Sequence, residues 1–279
     1  MPTITYLGQM CCLIETPTIR VVTDPYLSDS VDGPLGHRKY PAPCTLADLS
    51  PDVIVISHPH GDHLDKKTLE PFYRLRMRSF TLVPAPSGKI IESIGGHPTL
   101  MRAPAPAEWG EPFELAGVKI TPIPCAHTEL HRDENGDFAE LSYLIEADGK
   151  KIFFGGDMSM YAGLEEALRD AKPDVMFLPV NGSDWFRTSR NIIGNLDSNE
   201  AADLSVRCGA KAFIPGHHDL YASNGCPDSW VIYNGPPKSL HHFTINRERG
   251  IIKPKEQKNH DTKDVHSGIQ DEACPRGGP

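Results

Sequence analysis

Residues 52–63 read DVIVISHPHGDH and join an apolar run to a dense group of metal-binding side chains. The opening segment, DVIVIS, is an apolar run of strand length, which predicts a strand buried on both faces. In the extended turn that follows, His58 and His60 are two residues apart and can point their imidazoles to the same side. Asp62 and His63 fall on the next turn and can face a second metal position. Four such side chains are costly to cluster without a partner, so the motif predicts one or two metal ions rather than solvated histidines before a helix.

Three further candidate ligands each follow a predicted strand. They are His127 after residues 118–123, Asp157 after residues 151–154, and His217 after residues 211–215. Taken singly, a histidine after a strand is more typical of a surface or hydrogen-bonded residue, and Asp157 after two glycines is also compatible with a turn. Strand ends gather on one edge of a sheet in α/β proteins, so we expect the three to join the first motif in one metal centre.

The rest of the chain predicts one α/β domain over residues 1–252, followed by a flexible polar tail over residues 253–279. Predicted strands and helices are mixed without an internal linker, which favours two sheets in a single domain. Helices are predicted at Leu164–Ala171 and at 198–208, where Asp197 with Glu200 forms a cap. The last 27 residues contain ten charged and only four apolar residues, too few to compensate for the entropy of folding.

Charge and composition exclude several classes of partner. The 28 basic and 37 acidic residues give a formal net charge of −9, which repels the nucleic-acid backbone. No apolar stretch is long enough for a membrane span, and the amino terminus lacks a signal-like apolar segment. The seven cysteines are scattered and form no C-x-x-C motif. We therefore expect a cytoplasmic protein with no nucleic-acid or membrane partner, and a homo-oligomer.

The order H-x-H-x-D-H, then His, Asp and His resembles the metallo-β-lactamase superfamily over residues 4–220. This resemblance implies an αββα sandwich, two mixed β-sheets flanked by helices, and a site for two metal ions. It assigns His58, His60 and His127 to one ion, Asp62, His63 and His217 to the other, and Asp157 as the bridge. Asp24, before Pro25, resembles the family's early structural aspartate. Because di-iron relatives carry Glu at the position of His60, Zn²⁺ or, in some hydrolytic branches, Mn²⁺ is favoured over redox iron.

Three stretches, GGDMSMYAGL, LPVNGSDWFRTSRNIIGNLDSNEA and IPGHHDLYASN, resemble the branch that contains L-ascorbate-6-phosphate lactonase. The chain departs from that lactonase at His127, for which the lactonase has no clear counterpart. In this branch His217 corresponds to the last metal ligand. His218 is then expected to face the substrate, or alternatively to orient a ligand from outside the metal shell.

The loop of residues 181–195 is a candidate anion-binding segment. It carries Arg187 and Arg190 among polar side chains that include Asn181 and Asn191. Guanidinium groups grip phosphate or carboxylate with two parallel hydrogen bonds, so these four residues are predicted to bind substrate together with His218. The alternative is a solvated connection whose arginines pair with nearby aspartates.

Together these features predict a metal-dependent hydrolase of the lactonase or esterase type. A metal-bound hydroxide would open a small anionic lactone or ester, for example a sugar-phosphate lactone. Asp62 or His218 would then pass the proton to the leaving oxygen. One alternative is a phosphodiesterase that cleaves a cyclic or small phosphodiester with the same metal pair. Another is a non-catalytic metal-binding scaffold, which the open ligand set disfavours.

Overall fold

The computed structural model describes residues 1–31, 37–183, 189 and 194–221, together with the backbone of two strands at 243–246 and 251–254. Three of the predicted anion-binding residues, Arg187, Arg190 and Asn191, lie outside these residues, as does the predicted tail from residue 255 onwards. Within the described part, no helix is both long enough and apolar enough to cross a membrane.

Eight strands of the described part of the chain form the first sheet. Its strands are β1 (Thr3–Gly8), β2 (Cys11–Glu15), β3 (Arg20–Thr23), β4 (Val53–Val55), β5 (Phe80–Pro84), β6 (Pro98–Met101), β13 (Phe243–Asn246) and β14 (Ile251–Pro254). Their order across the sheet is β13-β14-β1-β2-β3-β4-β5-β6. Strands β3 to β6 run parallel to one another, and the other neighbours pair antiparallel.

In the second sheet, the structure describes six strands, in the order β12-β11-β10-β9-β8-β7. They are β7 (Phe113–Leu115), β8 (Val118–Pro124), β9 (Leu141–Ala147), β10 (Lys150–Phe154), β11 (Val175–Pro179) and β12 (Ala212–Gly216). Strands β10, β11 and β12 are parallel, whereas β7 to β10 form an antiparallel series. Both sheets are therefore mixed.

Helices cover the outer face of each sheet. The α-helices among the described residues are α1 (Leu46–Leu49), α2 (Lys66–Arg74), α3 (Gly88–Ser93), α4 (Leu164–Ala171) and α5 (Ser198–Arg207). The apolar residues of α1, α2 and α3 pack with the outward side chains of the first sheet. Those of α4 and α5 pack with the outward side chains of the second sheet.

The alternation of side chains along β4 explains why this strand reads as a continuous apolar run. Val53 and Val55 face the core between the sheets, whereas Ile54 and Ile56 face the helices of the first sheet. All four are fully buried. A strand with helix on one side and sheet on the other has no solvent face to make polar. The predicted αββα sandwich of two mixed sheets is confirmed.

Most predicted elements appear within a residue or two of their predicted ends. The helices at Leu164–Ala171 and Ser198–Arg207 match their predictions closely, and the three strands predicted before His127, Asp157 and His217 are present. Strands β6, β7, β13 and β14 and the four-residue α1 were not predicted. Strand β14 reaches Pro254, two residues past the predicted end of the domain. The division at residue 252 stays a prediction.

The predicted cap of α5 forms as expected and gives a first testable result. Asp197 accepts hydrogen bonds from the backbone N–H groups of Asn199 and Glu200, and the Glu200 carboxylate accepts one from the Asp197 N–H in return. Asp197→Ala should lower the free energy of unfolding by about 1 kcal/mol, because it leaves N-terminal donors of the helix unpaired. Urea unfolding measures the change. Asp203→Ala, at an exposed position inside the same helix, is the control and should not destabilise the protein.

Candidate metal centre

All seven predicted metal ligands lie at one edge of the sandwich, where strands from both sheets end. The motif from His58 to His63 follows β4 in the first sheet. His127, Asp157 and His217 follow β8, β10 and β12 in the second sheet. These three strands run in the same direction, so their carboxyl ends meet beside the first motif.

The first cluster is formed by His58, His60, His127 and Asp157, whose nearest ligand atoms all lie within 4.8 Å of one another. Nε2 of His58 lies 2.9 Å from Nδ1 of His60. Nε2 of His127 lies 3.2 Å from Oδ2 of Asp157. Three of the four side chains are buried, and His60 is exposed on the open side of the cluster. The cluster is therefore reachable from solvent past His60.

The second cluster is formed by Asp62, His63 and His217. Nε2 of His217 lies 3.2 Å from Oδ2 of Asp62 and 3.3 Å from Nε2 of His63. The carboxylate of Asp157 also reaches this cluster, with Oδ1 3.3 Å from Nε2 of His63 and Oδ2 3.2 Å from Nε2 of His217. Asp157 thus lies between the two clusters.

The spacing of these donor atoms fits divalent cations. Ligands bound tetrahedrally at zinc–nitrogen distances of about 2.0–2.1 Å are separated by about 3.3 Å. The separations around His63 and His217 range from 3.2 to 3.7 Å. In two places a pair of imidazole nitrogens face each other, between His58 and His60 and between His63 and His217. Imidazole nitrogens that ligate the same cation approach each other in this way.

The local field keeps the first two histidines in the form that binds metal. Burial lowers the pKa of His58 well below its ordinary value, and nearby His63 lowers it further. Burial and His63 also lower the pKa of His60. Both imidazoles are therefore neutral near pH 7, and neutral imidazole is the form that ligates a cation.

The carboxylates dominate the field of the second cluster. Burial opposes the charging of His63 and His217, but Asp157 and Asp62 outweigh it and raise the pKa of His217 to about 9 and that of His63 well above its ordinary value. Burial likewise opposes ionisation of the two carboxyls, yet the histidines hold the pKa of Asp62 and of Asp157 below its usual range. The two carboxylates of this cluster can therefore pair either with protonated histidines or with a divalent ion.

A buried network behind the cluster orients His58 and His63. Asp24 is fully buried and adopts a positive φ of 32°. Its carboxylate accepts hydrogen bonds from the backbone N–H and the hydroxyl of Ser57, and contacts Nδ1 of His63 at 2.6 Å. The Ser57 hydroxyl in turn lies 2.9 Å from Nδ1 of His58. With both Nδ1 atoms engaged, both Nε2 atoms point into the site, which is how carboxylates and hydroxyls orient metal-binding histidines.

Close contacts between loops hold Asp157 and His127 together. Gly156 has a φ of +63°, and a Cβ at this position would lie 2.6 Å from the Cβ of Ser57, so only glycine permits this approach. The thiol of Cys125 donates to the backbone carbonyl of Asp157 at 3.0 Å. The hydroxyl of Ser159 donates to the carbonyl of His127 at 2.7 Å. The two loops are therefore positioned by each other.

The remaining predicted site residues have different surroundings. Of the two neighbouring histidines, His217 places Nε2 in the second cluster, and His218 is buried next to it. Asn181 is also buried, and its side-chain oxygen accepts a hydrogen bond from Asn195 at 2.9 Å. The substrate-binding role of Asn181 and the proton-transfer roles of Asp62 and His218 stay predictions.

Two residues near the clusters were not identified from the sequence as site residues. Ser57 was counted only as the end of a strand, although it supports both Asp24 and His58. Gln9 lies in the turn between β1 and β2, with its side-chain nitrogen 2.8 Å from Oδ2 of Asp62. The sequence signal was a single amide between the apolar segments ITYLG and MCCLIE, a pattern that is equally typical of an ordinary hairpin turn.

Comparison with known proteins identifies the family. A family model described as the Beta-lactamase superfamily domain matches residues 19–218. A UPF0173 metal-dependent hydrolase from Korarchaeum cryptofilum is 26% identical over 228 residues, which cover 79% of this chain and 85% of that protein.

Two solved structures share the fold. One is Igni18, a metallo hydrolase from Ignicoccus hospitalis, with a TM-score of 0.61 and 18% identity over 82% of this chain and 88% of that one. The other is a possible metal-dependent hydrolase from Veillonella parvula, with a TM-score of 0.65 and 18% identity over 83% of this chain and 90% of that one. Because the family model covers more than half of the chain, including the whole metal centre from Asp24 to His217, the chain belongs to the β-lactamase superfamily.

Proposed function

We propose that this chain is a metal-dependent hydrolase with two divalent ions at the edge of the sandwich. His58, His60 and His127 would hold one ion, and Asp62, His63 and His217 would hold the other. The observation that carries the proposal is the position of the Asp157 carboxylate. It lies within 3.3 Å of donor atoms in both clusters and is therefore placed to bridge the ions. The metal-dependent hydrolases among its relatives support the same activity.

Divalent ions in such a site activate water at neutral pH and polarise the bond under attack. The protein's own groups then have three tasks. Asp24 and Ser57 fix the histidine rings, Asp157 holds the two clusters at a constant separation, and Asp62 or His218 passes a proton to the leaving oxygen. Because His63 and His217 hold the pKa of Asp62 below its usual range, this carboxylate is ionised at neutral pH, the form that binds a cation.

The protein offers poor candidates for a covalent nucleophile among the cysteines that the structure describes. Cys12 and Cys125 are buried, and burial raises the pKa of each thiol well above its ordinary value. A thiol that stays protonated at neutral pH is a weak nucleophile. This favours direct attack by water over an acyl-enzyme intermediate.

We propose a small anionic lactone or ester as the substrate, for example a sugar-phosphate lactone. The support is the resemblance to the lactonase branch and the arginine-containing loop, in which Arg187 and Arg190 would bind the anionic group together with Asn181, Asn191 and His218. Zn²⁺ suits the histidine-rich first cluster, and Mn²⁺ is compatible with the carboxylates.

Metal removal and a hydrolysis screen test this proposal. Purified protein should carry one to two equivalents of Zn²⁺ or Mn²⁺ by elemental analysis, and chelation should abolish hydrolysis of phosphorylated sugar lactones. His127→Ala should lose both metal and activity, because it removes a ligand of the first cluster. The control His97→Ala removes an exposed histidine outside the metal centre and should change neither.

Three results would contradict the proposal in different ways. Protein that binds no ion under saturating conditions would remove the metal centre. Metal-loaded protein that cleaves bis-p-nitrophenyl phosphate but no lactone would indicate a phosphodiesterase instead. Metal-loaded protein inert to both substrate classes would indicate a scaffold.

A further inference from the structure

We propose that Gln9 supplies a further ligand, its side-chain oxygen, to the ion held by Asp62, His63 and His217. This inference rests on the proposed metal-binding function and adds a residue that lies outside the predicted ligand set. The ion of the second cluster would then have three oxygen donors, from Asp62, Asp157 and Gln9, against one for the ion of the first cluster.

The backbone of Gln9 is anchored directly beside the second cluster. The residue is fully buried in the β1–β2 turn and adopts a positive φ of 57°. Its carbonyl accepts hydrogen bonds from the backbone N–H of His217 at 2.9 Å and from the Tyr6 hydroxyl at 3.0 Å. Its N–H donates to the carboxylate of Asp219 at 3.2 Å. These bonds tie the turn to the segment that carries His217, and the side chain extends into the cluster.

The end of the Gln9 side chain lies at the distances expected of a ligand. Its amide nitrogen is 2.8 Å from Oδ2 of Asp62 and 3.1 Å from Nε2 of His217. Neighbouring ligands of a five- or six-coordinate ion with bonds of about 2.1 Å are separated by about 3.0 Å. The terminal amide group therefore occupies an additional corner of the polyhedron defined by Asp62, His63 and His217.

The amide oxygen is the atom that needs a partner. Oε1 of Gln9 is buried and has no hydrogen-bond partner among the described residues, which is costly for a polar atom. A half-turn about the terminal bond exchanges Oε1 and the amide nitrogen, since the two ends of an amide have nearly the same shape. After this exchange Oε1 faces both Asp62 and His217. In this orientation a cation bound to both Oε1 and the Asp62 carboxylate would remove the repulsion between them, and the amide nitrogen would take the buried position that Oε1 leaves.

This ligand would make the two metal positions chemically different. The first cluster offers three histidines and one shared carboxylate, whereas the second would offer two histidines, two carboxylates and an amide oxygen. Oxygen ligands favour harder cations such as Mn²⁺, and imidazole suits Zn²⁺. The second position should therefore bind Mn²⁺ better than the first does.

Metal titration of the apo protein tests this role without an activity assay. Mn²⁺ binding is followed by electron paramagnetic resonance and calorimetry in the wild type, Gln9→Ala and Gln9→Glu. In Gln9→Ala the affinity for the tighter-binding Mn²⁺ ion, which occupies the second position, should fall by roughly 10- to 100-fold, the range typical of residues that support a metal site. Gln9→Glu keeps an oxygen in place and should retain the wild-type affinity or exceed it.

A control and three outcomes make the test decisive. Tyr6→Phe removes the hydroxyl that contacts the Gln9 carbonyl at 3.0 Å and the Asp219 carboxylate at 2.8 Å but leaves the Gln9 side chain, and it should bind Mn²⁺ as the wild type does. If Gln9→Glu weakens binding as much as Gln9→Ala, the amide acts as a donor to Asp62 and the ligand role is wrong. Two bound ions with unchanged affinity in Gln9→Ala would also overturn it. A wild type that binds no ion would overturn the proposed function as well.

Discussion

Asp157→Ala is expected to reduce kcat/KM by about 10³-fold or more and to weaken the binding of both metal ions. The carboxylate of Asp157 contacts His127 in the first cluster and both His63 and His217 in the second. Removal of a shared ligand forfeits several kcal/mol of transition-state stabilisation, and each 1.4 kcal/mol corresponds to about a tenfold change in rate. No other substitution of a single ligand should affect both ions equally.

Elemental analysis and steady-state kinetics measure the two effects. Asp157→Asn keeps the volume and one ligand oxygen, so comparison with Asp157→Ala separates the loss of charge from the loss of a side chain. Asp170→Ala, at an exposed position in α4, is the control and should behave as wild type. An Asp157→Ala protein that keeps two ions, or that loses only one of them, would show that this carboxylate does not bridge.

Asp24→Ala should lower the free energy of unfolding by about 3–5 kcal/mol, the range expected when one partner of a buried ion pair is removed. The side chain is fully buried, and its loss leaves the Ser57 N–H and hydroxyl and the ring of His63 without their acceptor. Metal affinity should also fall by roughly 10- to 100-fold, because His63 loses the carboxylate that fixes its ring.

Urea unfolding of the apo protein and metal titration separate these effects of Asp24. Asp24→Asn preserves the shape and an acceptor for Ser57, so it should be less destabilising while still disturbing His63. Asp29→Ala is the control, because the Asp29 carboxylate contacts its partners His37 and Arg38 at an exposed position and should contribute less than about 1 kcal/mol. Equal stability of Asp24→Ala and Asp29→Ala would mean that the network behind the cluster does not stabilise the fold.

The sequence predicted those parts of the protein that are encoded locally. The strand before His58 was predictable because residues buried on both faces must be apolar, and the four ligand-type residues directly after it were too close together to be accidental. His127, Asp157 and His217 were found because each follows a strand, and the structure does bring them to one edge. Their roles as ligands remain predictions.

Other features could not be predicted because they depend on contacts between distant segments. Strands β6 and β7 are short and carry only three or four residues each, which is too few for a periodic pattern. Gln9 and His217 are 208 residues apart, and nothing local in either segment indicates that they meet. The predicted division at 252, the homo-oligomer and the anion-binding arginines are untested.

The contribution of both sheets to one metal centre has a consequence for the protein's resistance to heat. His58 to His63 follow a strand of the first sheet, and His127, Asp157 and His217 follow strands of the second. Each divalent ion would therefore bind ligands from both sheets and link them non-covalently. An ion that binds only the folded state at a concentration of 100 Kd adds about 2.7 kcal/mol of stability. The melting temperature should thus rise and fall with the supply of metal, and a cell short of the metal would lose the protein itself as well as its activity.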